Sequence, residues 1–139
     1  MWFQKQLILP SYERGFHLIT IKVIEQLPEI NQLNVGVLHL FLQHTSASIS
    51  LNENADPTVR ADLETASNRI APEGHNLYLH DYEGMDDMPA HIKSAVYGVS
   101  LTIPIASGSL ALGTWQGIVL GEHRNDAGRR RILATLNGE

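Results

Sequence analysis

The chain has 139 residues, 43% hydrophobic and 18% charged, with a formal net charge of −5. That length and balance suit one globular domain over residues 1–139, and the acidic charge lacks the Lys/Arg surplus that non-specific nucleic-acid binding needs. There is no cysteine, which excludes disulfides, thiolate catalysis and cysteine-based zinc sites. No apolar run approaches the roughly 20 residues that cross a bilayer, and the first residues carry no signal-peptide pattern. A cytoplasmic protein with neither membrane nor nucleic-acid partners is expected.

Residues 2–9 are rich in aromatic and aliphatic types and stop at Pro10-Ser11, which predicts a first strand. Gly15 breaks the chain again. Thr20 is placed to cap a helix reaching about Leu27, with Ile21, Ile24 and Leu27 as its apolar stripe. Val35–Leu42 is an apolar run of strand length. His44, Ser46, Ser48 and Ser50 follow at alternate positions and, in an extended chain, continue the face of Leu38, Leu40 and Leu42. On that pattern His44 ends an apolar stripe at the edge of the core.

Asp56-Pro57 combines a good N-cap with a good first helical residue, and predicts a helix through Ala61, Leu63, Ala66 and Ile70 that stops before Pro72. Residues 72–87 are expected to form a long loop. Asp86 or Asp87 is placed to cap a helix over Met88–Tyr97, closed by Gly98. Strands are then predicted over Val99–Ile105, ending near Pro104, over Leu110–Leu112 and over Thr114–Glu122. Asn125-Asp126-Ala127-Gly128 is expected as a hairpin-type turn before a last strand, Arg129–Leu136. Strands outnumber two or three short helices, which defines an α+β domain built on antiparallel sheet.

Three histidines stand in dense polar motifs: His44 before Thr45-Ser46-Ala47-Ser48, His91 before Ile92-Lys93-Ser94, and His123 after Gly121-Glu122. Imidazole is the commonest metal ligand, and three of them hold a catalytic zinc with one position open. The alternative gives each ring a hydrogen bond in the core and nothing more. There is no local zinc signature such as His-Glu-x-x-His. The acidic loop offers Asp81, Asp86 and Asp87 as a second set of ligands, hard oxygens suited to Mg²⁺, although a solvated acidic loop explains them equally.

Asn52-Glu53-Asn54 precedes the helix start at Asp56, and Glu53 or Glu122 would serve a metal site as general base. Lys93, Ser94 and Arg124 form a candidate phosphate-binding set, with Ser46 and Asn52 as further substrate contacts. Trp115 is a candidate ring-stacking residue and equally a core or interface aromatic. Arg129 and Arg131 share a strand face opposite Arg130, which favours a charged outer face or a subunit contact for the first two. A serine hydrolase would want a Gly-x-Ser-x-Gly elbow, and none is present.

Taken in order, several of these motifs resemble the YjbQ-like family. They are Gly15-Phe16-His17, His44-Thr45-Ser46-Ala47-Ser48, Asn52-Glu53-Asn54-Ala55-Asp56-Pro57, His80-Asp81-Tyr82-Glu83-Gly84, Asp86-Asp87-Met88-Pro89, His91-Ile92-Lys93-Ser94, Gly113-Thr114-Trp115-Gln116-Gly117 and Glu122-His123-Arg124. The resemblance implies an antiparallel β-sandwich or half-barrel, a homotrimer, and a pocket around His44, His91 and His123 at or near a subunit interface. It also implies a weak, secondary thiamine-phosphate synthase activity, in which a pyrimidine diphosphate is joined to a thiazole phosphate with loss of pyrophosphate. Two other functions remain open on the residues: a zinc-dependent hydrolase using the three histidines, and a non-enzymatic protein that binds a small phosphorylated metabolite.

Overall fold

Period-two alternation of aliphatic residues dictates most of the architecture. The computed structural model describes residues 1–139. Its elements are β1 (Trp2–Ile8), β2 (Gly15–Leu18), α1 (Thr20–Gln26), a 3-10 turn (Pro28–Gln32), β3 (Val35–Leu42), β4 (Ala47–Glu53), α2 (Pro57–Ile70), α3 (Asp87–Tyr97), β5 (Ser100–Ala106), β6 (Ser109–Leu110), β7 (Gln116–Glu122) and β8 (Arg131–Gly138).

The strands form two antiparallel sheets, one ordered β1-β8-β3-β5-β6 and the other β2-β7-β4. Leu7, Leu38, Leu40, Leu42, Ile103, Ile105, Ile132 and Leu136 project from the larger sheet, and Ala47, Ile49, Ile118 and Leu120 from the smaller. They meet in one core, closed on one side by Ile19, Val23, Leu27, Ile30 and Leu33. Helices α2 and α3 pack on the other face of the small sheet, against β2 and β4. The expected α+β sandwich forms, and of the two or three helices expected there are three.

Two helix starts follow from local chemistry. The Asp56 carboxylate accepts from the Thr58 amide at 2.9 Å and so caps α2, with Pro57 in its first turn. Asp86 occupies the N-cap of α3 but makes no capping bond; its side chain turns to Arg124 and Asn125 instead. Gly98 ends α3 at φ 93°, a conformation that favours glycine.

Four expectations need correction. Helix α1 begins at Thr20 and buries Val23, leaving Ile21 and Ile24 exposed. Thr20 Oγ1 accepts from the Ile118 amide and ties the helix to β7 instead of capping it. The chain does not run straight from β3 into the serines: residues 43–46 turn a corner between the sheets, and Ser48 lies buried on β4. Pro104 lies within β5. Its carbonyl accepts from Ala111, so its nitrogen points to the side of the two-residue strand β6, where no regular ladder bond is lost. Finally, 125–128 closes no hairpin, because β7 and β8 belong to different sheets. That crossing is held by Arg130, which grips the fully buried Glu122 through two bonds of 2.7 and 2.6 Å.

Candidate metal centre

One group of side chains in the chain has the geometry of a metal site. His80 and Glu83 come from the loop before α3, and Asp87 and His91 from successive turns of α3. One ligand atom from each lies within 4.8 Å of the others. Asp87 and His91 share a helix face because i and i+4 are neighbours on an α-helix.

Asp87 is the hub. Its Oδ1 accepts from Arg124 Nη1 at 2.6 Å, while His80 Nε2 donates to Oδ2 at 2.7 Å and His91 Nε2 stands 3.3 Å from that same oxygen. Burial opposes ionisation of Asp87, yet the hydrogen bond from His80 and the charge of Arg124 hold its carboxyl below the usual range. Arg124 also donates from Nε to Asp86 at 2.8 Å and from Nη2 to the Glu83 carbonyl at 2.9 Å. One guanidinium thus positions the backbone of one potential ligand and the carboxylate of another.

His91 is oriented from behind. Its Nδ1–H donates to the Thr45 carbonyl at 2.7 Å. In the neutral ring this leaves the lone pair on Nε2, facing a carboxylate oxygen. Two lone pairs so placed repel unless a proton or a cation lies between them. Metal-binding histidines are commonly fixed through the other ring nitrogen in this way.

The three histidines singled out by sequence do not converge on one point: His44 and His91 line a common groove, and His123 is not part of it. His44 Nε2 accepts from the Arg131 amide at 2.8 Å, which puts the neutral ring's proton on Nδ1. His123 is fully buried beneath the helices, with Nε2 2.8 Å from Ser48 Oγ and Phe16 and Tyr97 around its ring. A Cβ on Gly121 would collide with both Ser48 and His123, so glycine there makes room for the pair. His91 alone of the three joins the metal group, and of the three loop aspartates only Asp87 does. His80 and Glu83 were missed as ligands, although the Asp87-x3-His91 spacing just after them was legible.

The expected substrate contacts are also dispersed. Lys93 is 1% exposed and donates to Asn68 at 2.8 Å in the interior, and Arg124 is consumed by Asp86 and Asp87. The Ser46 carbonyl accepts from Arg130 at 3.1 Å. Ser94 lines a groove with His44 and His91. Glu53 pairs in register with Gln116, whereas Ala47, at the other end of β4, pairs with Glu122. At least five steps of strand, about 16 Å or more, therefore separate Asn52, Glu53 and the exposed Trp115 from Glu122 and His123. Asn54 belongs to that far end, donating to the Thr114 and Gln116 carbonyls at 3.1 and 3.2 Å.

Fold and site together define an α+β sandwich with a histidine–carboxylate cluster at the head of its third helix. A family model described as UPF0047 protein YjbQ-like matches residues 5–139. The chain is 57% identical over 139 residues, all of both chains, to the UPF0047 protein YjbQ of Escherichia coli O157:H7. It is 33% identical over 118 residues to YugU of Bacillus subtilis, covering 85% of this chain and 87% of that one. The chain belongs to the UPF0047 YjbQ-like family. Among solved structures, a conserved hypothetical protein from Thermus thermophilus superposes with a TM-score of 0.78 at 32% identity, over 93% of this chain and 97% of that one. A YbjQ-like protein of unknown function from Sulfolobus solfataricus shares the fold with a TM-score of 0.86 at 23% identity, over 100% and 99%.

Two outcomes follow from this geometry. Burial, with the charges of Lys93, Arg130 and Arg14, pushes His123 down to about 3 from 6.5. The native ring stays neutral while the unfolded one takes up a proton, so stability present above pH 6.5 is lost as pH falls towards 3. The expected loss is about 2 kcal/mol between pH 7 and 5, read as a falling urea midpoint that flattens in His123→Asn. Zinc held by this cluster would be bound about 10- to 100-fold more weakly in Arg124→Ala, read by chelator competition, because Asp87 loses its anchor. Unchanged affinity would remove Arg124 from the centre.

Proposed function

We propose that the protein is a divalent-metal-dependent hydrolase acting on a small phosphorylated metabolite, with His80, Glu83, Asp87 and His91 as its metal ligands. The observation that carries this reading is His91 Nε2, its lone pair directed by the Thr45 contact onto Asp87 Oδ2 at 3.3 Å. Two imidazoles with two carboxylates suit zinc better than the all-oxygen surroundings that Mg²⁺ prefers. Such an ion, when bound, supplies a Lewis acid and lowers the pKa of water in its open position. Arg124 holds Asp87 and the Glu83 backbone in place, and the Thr45 carbonyl holds His91. Glu83, with a side chain 51% exposed, is the most open of the four, and released from an ion it would be the group to take a proton from a bound water.

A second reading is the thiamine-phosphate synthase reaction that the resemblance implies. The two carboxylates of the cluster favour it, since Mg²⁺ bridging a diphosphate would use such oxygens. Lys93 and Arg124, the cations expected to hold that diphosphate, are engaged elsewhere.

A homotrimer in the cytoplasm completes the proposal. No helix is long and apolar enough to cross a membrane. The outer face of the five-stranded sheet has no covering layer and presents the cross-strand rows Trp2–Asn137–Val37–Pro104 and Gln6–Leu133–Phe41–Ser100. These rows contain no charge, as a self-association surface requires.

Hydrolysis of p-nitrophenyl phosphate tests the activity. Turnover should vanish with a chelator, return with zinc, and fall more than about a hundredfold in His91→Ala. Turnover indifferent to chelation, or none with any divalent ion, contradicts the hydrolase. On the assembly, Phe41→Asp should convert a trimer into monomers in sedimentation equilibrium. A wild-type monomer overturns the trimer.

A further inference from the structure

The imidazoles of His80 and His91 stand 5.5 Å apart between ring centroids, and a different cavity opens against each. Against His80 lies a loop cavity of about 220 Å³ whose walls include His75, Asn76, Tyr78, Met85 and Met88. No lysine or arginine lines it, and its one carboxylate is Asp81. An anion placed there would meet a negative charge and no cation. The thioethers and the phenol ring suit an uncharged, polarisable group.

Against His91 lies a more open groove of about 390 Å³, and its chemistry is the reverse. It is lined by His44, Thr45, Ser94, Ala95, Gly98 and Val99, without any carboxylate. The Arg131 amide occupies His44 Nε2 and leaves the ring an N–H at Nδ1, and Thr45 and Ser94 add hydroxyls. Burial, more than the charges of Arg130 and Arg131, keeps His44 below its ordinary range, with Glu122 acting the other way. Such a wall offers hydrogen-bond donors to an oxyanion and places no carboxylate in its lining.

We propose that the groove at His44 seats the oxyanion of the substrate, phosphoryl or carboxylate, beside His91 of the metal centre. The inference rests on the metal-centre reading only for what reacts at His91. It makes His44 a substrate-binding residue.

The test is a titration of the full chain with inorganic phosphate and, separately, with acetate, followed by backbone amide NMR shifts. Metal-free and zinc-loaded protein are both titrated after zinc content has been measured. Saturable shifts at Thr45, Gly98 and Val99 are expected, with affinity about tenfold weaker in His44→Ala, the loss of one charge-assisted hydrogen bond. Tighter phosphate than acetate assigns a phosphoryl group, and the reverse a carboxylate. Shifts confined to residues 74–88, or the same affinity in His44→Ala, overturn the inference, as does the absence of saturable binding in wild-type protein. Protein that takes up no zinc but still binds phosphate at the groove contradicts the metal centre and leaves the groove standing. Zinc uptake without groove binding does the opposite.

Discussion

The carboxylate of Asp87 is the point through which the candidate site is held together. One oxygen is fixed by Arg124 at 2.6 Å, and the other is shared between two imidazoles at 2.7 and 3.3 Å. A carboxylate with 2% side-chain exposure carries a large desolvation cost unless charge or hydrogen bonds compensate it. Here compensation comes from the loop through His80 and from the β7–β8 crossing through Arg124, while the third helix sets His91 against the same oxygen. Remove the carboxylate and those three segments lose their common partner.

The sandwich is what delivers these segments to one place. The corner between β3 and β4 presents the Thr45 carbonyl to His91, so the path of the chain between the two sheets also sets the tautomer of a candidate ligand. Helix α3 packs on β4 and brings the Asp87–His91 face to that corner. The second crossing ends with Arg130 locked on buried Glu122, and Arg124 lies within the same crossing segment. Strength of packing and precision of the site are therefore linked: the aliphatic core orders the sheets, and the sheet-to-sheet crossings carry the polar side chains.

Much of the fold was legible because its signals are local. The Asp56-Pro57 helix start, the Gly98 stop and the β1, β3 and β7 strands follow from capping chemistry and from apolar, β-rich runs of strand length. Which sheet a strand joins is not a local property, so the corner after Leu42 and the unpaired β7–β8 connection had no sequence signature. The same limit explains the site. Loop histidines look alike in sequence, and His44, His91 and His123 were grouped for their polar neighbours. The fold buried His123 against Ser48, tied His44 to the Arg131 amide, and gave the metal geometry to His80. Only the i, i+4 pair Asp87 and His91 carried a spacing that pointed to the observed cluster. Lys93 shows the converse: a cation expected to bind phosphate lies in the interior beside Asn68.

The central claim is that His80, Glu83, Asp87 and His91 bind one divalent ion. The most direct measurement is the metal content, by inductively coupled plasma mass spectrometry, of tag-free protein equilibrated with zinc and desalted, beside His80→Ala and His123→Asn. The account predicts close to one zinc per chain in the wild type and in His123→Asn, and almost none in His80→Ala. Zinc that survives in His80→Ala but disappears in His123→Asn would contradict it and return the metal to the buried histidine.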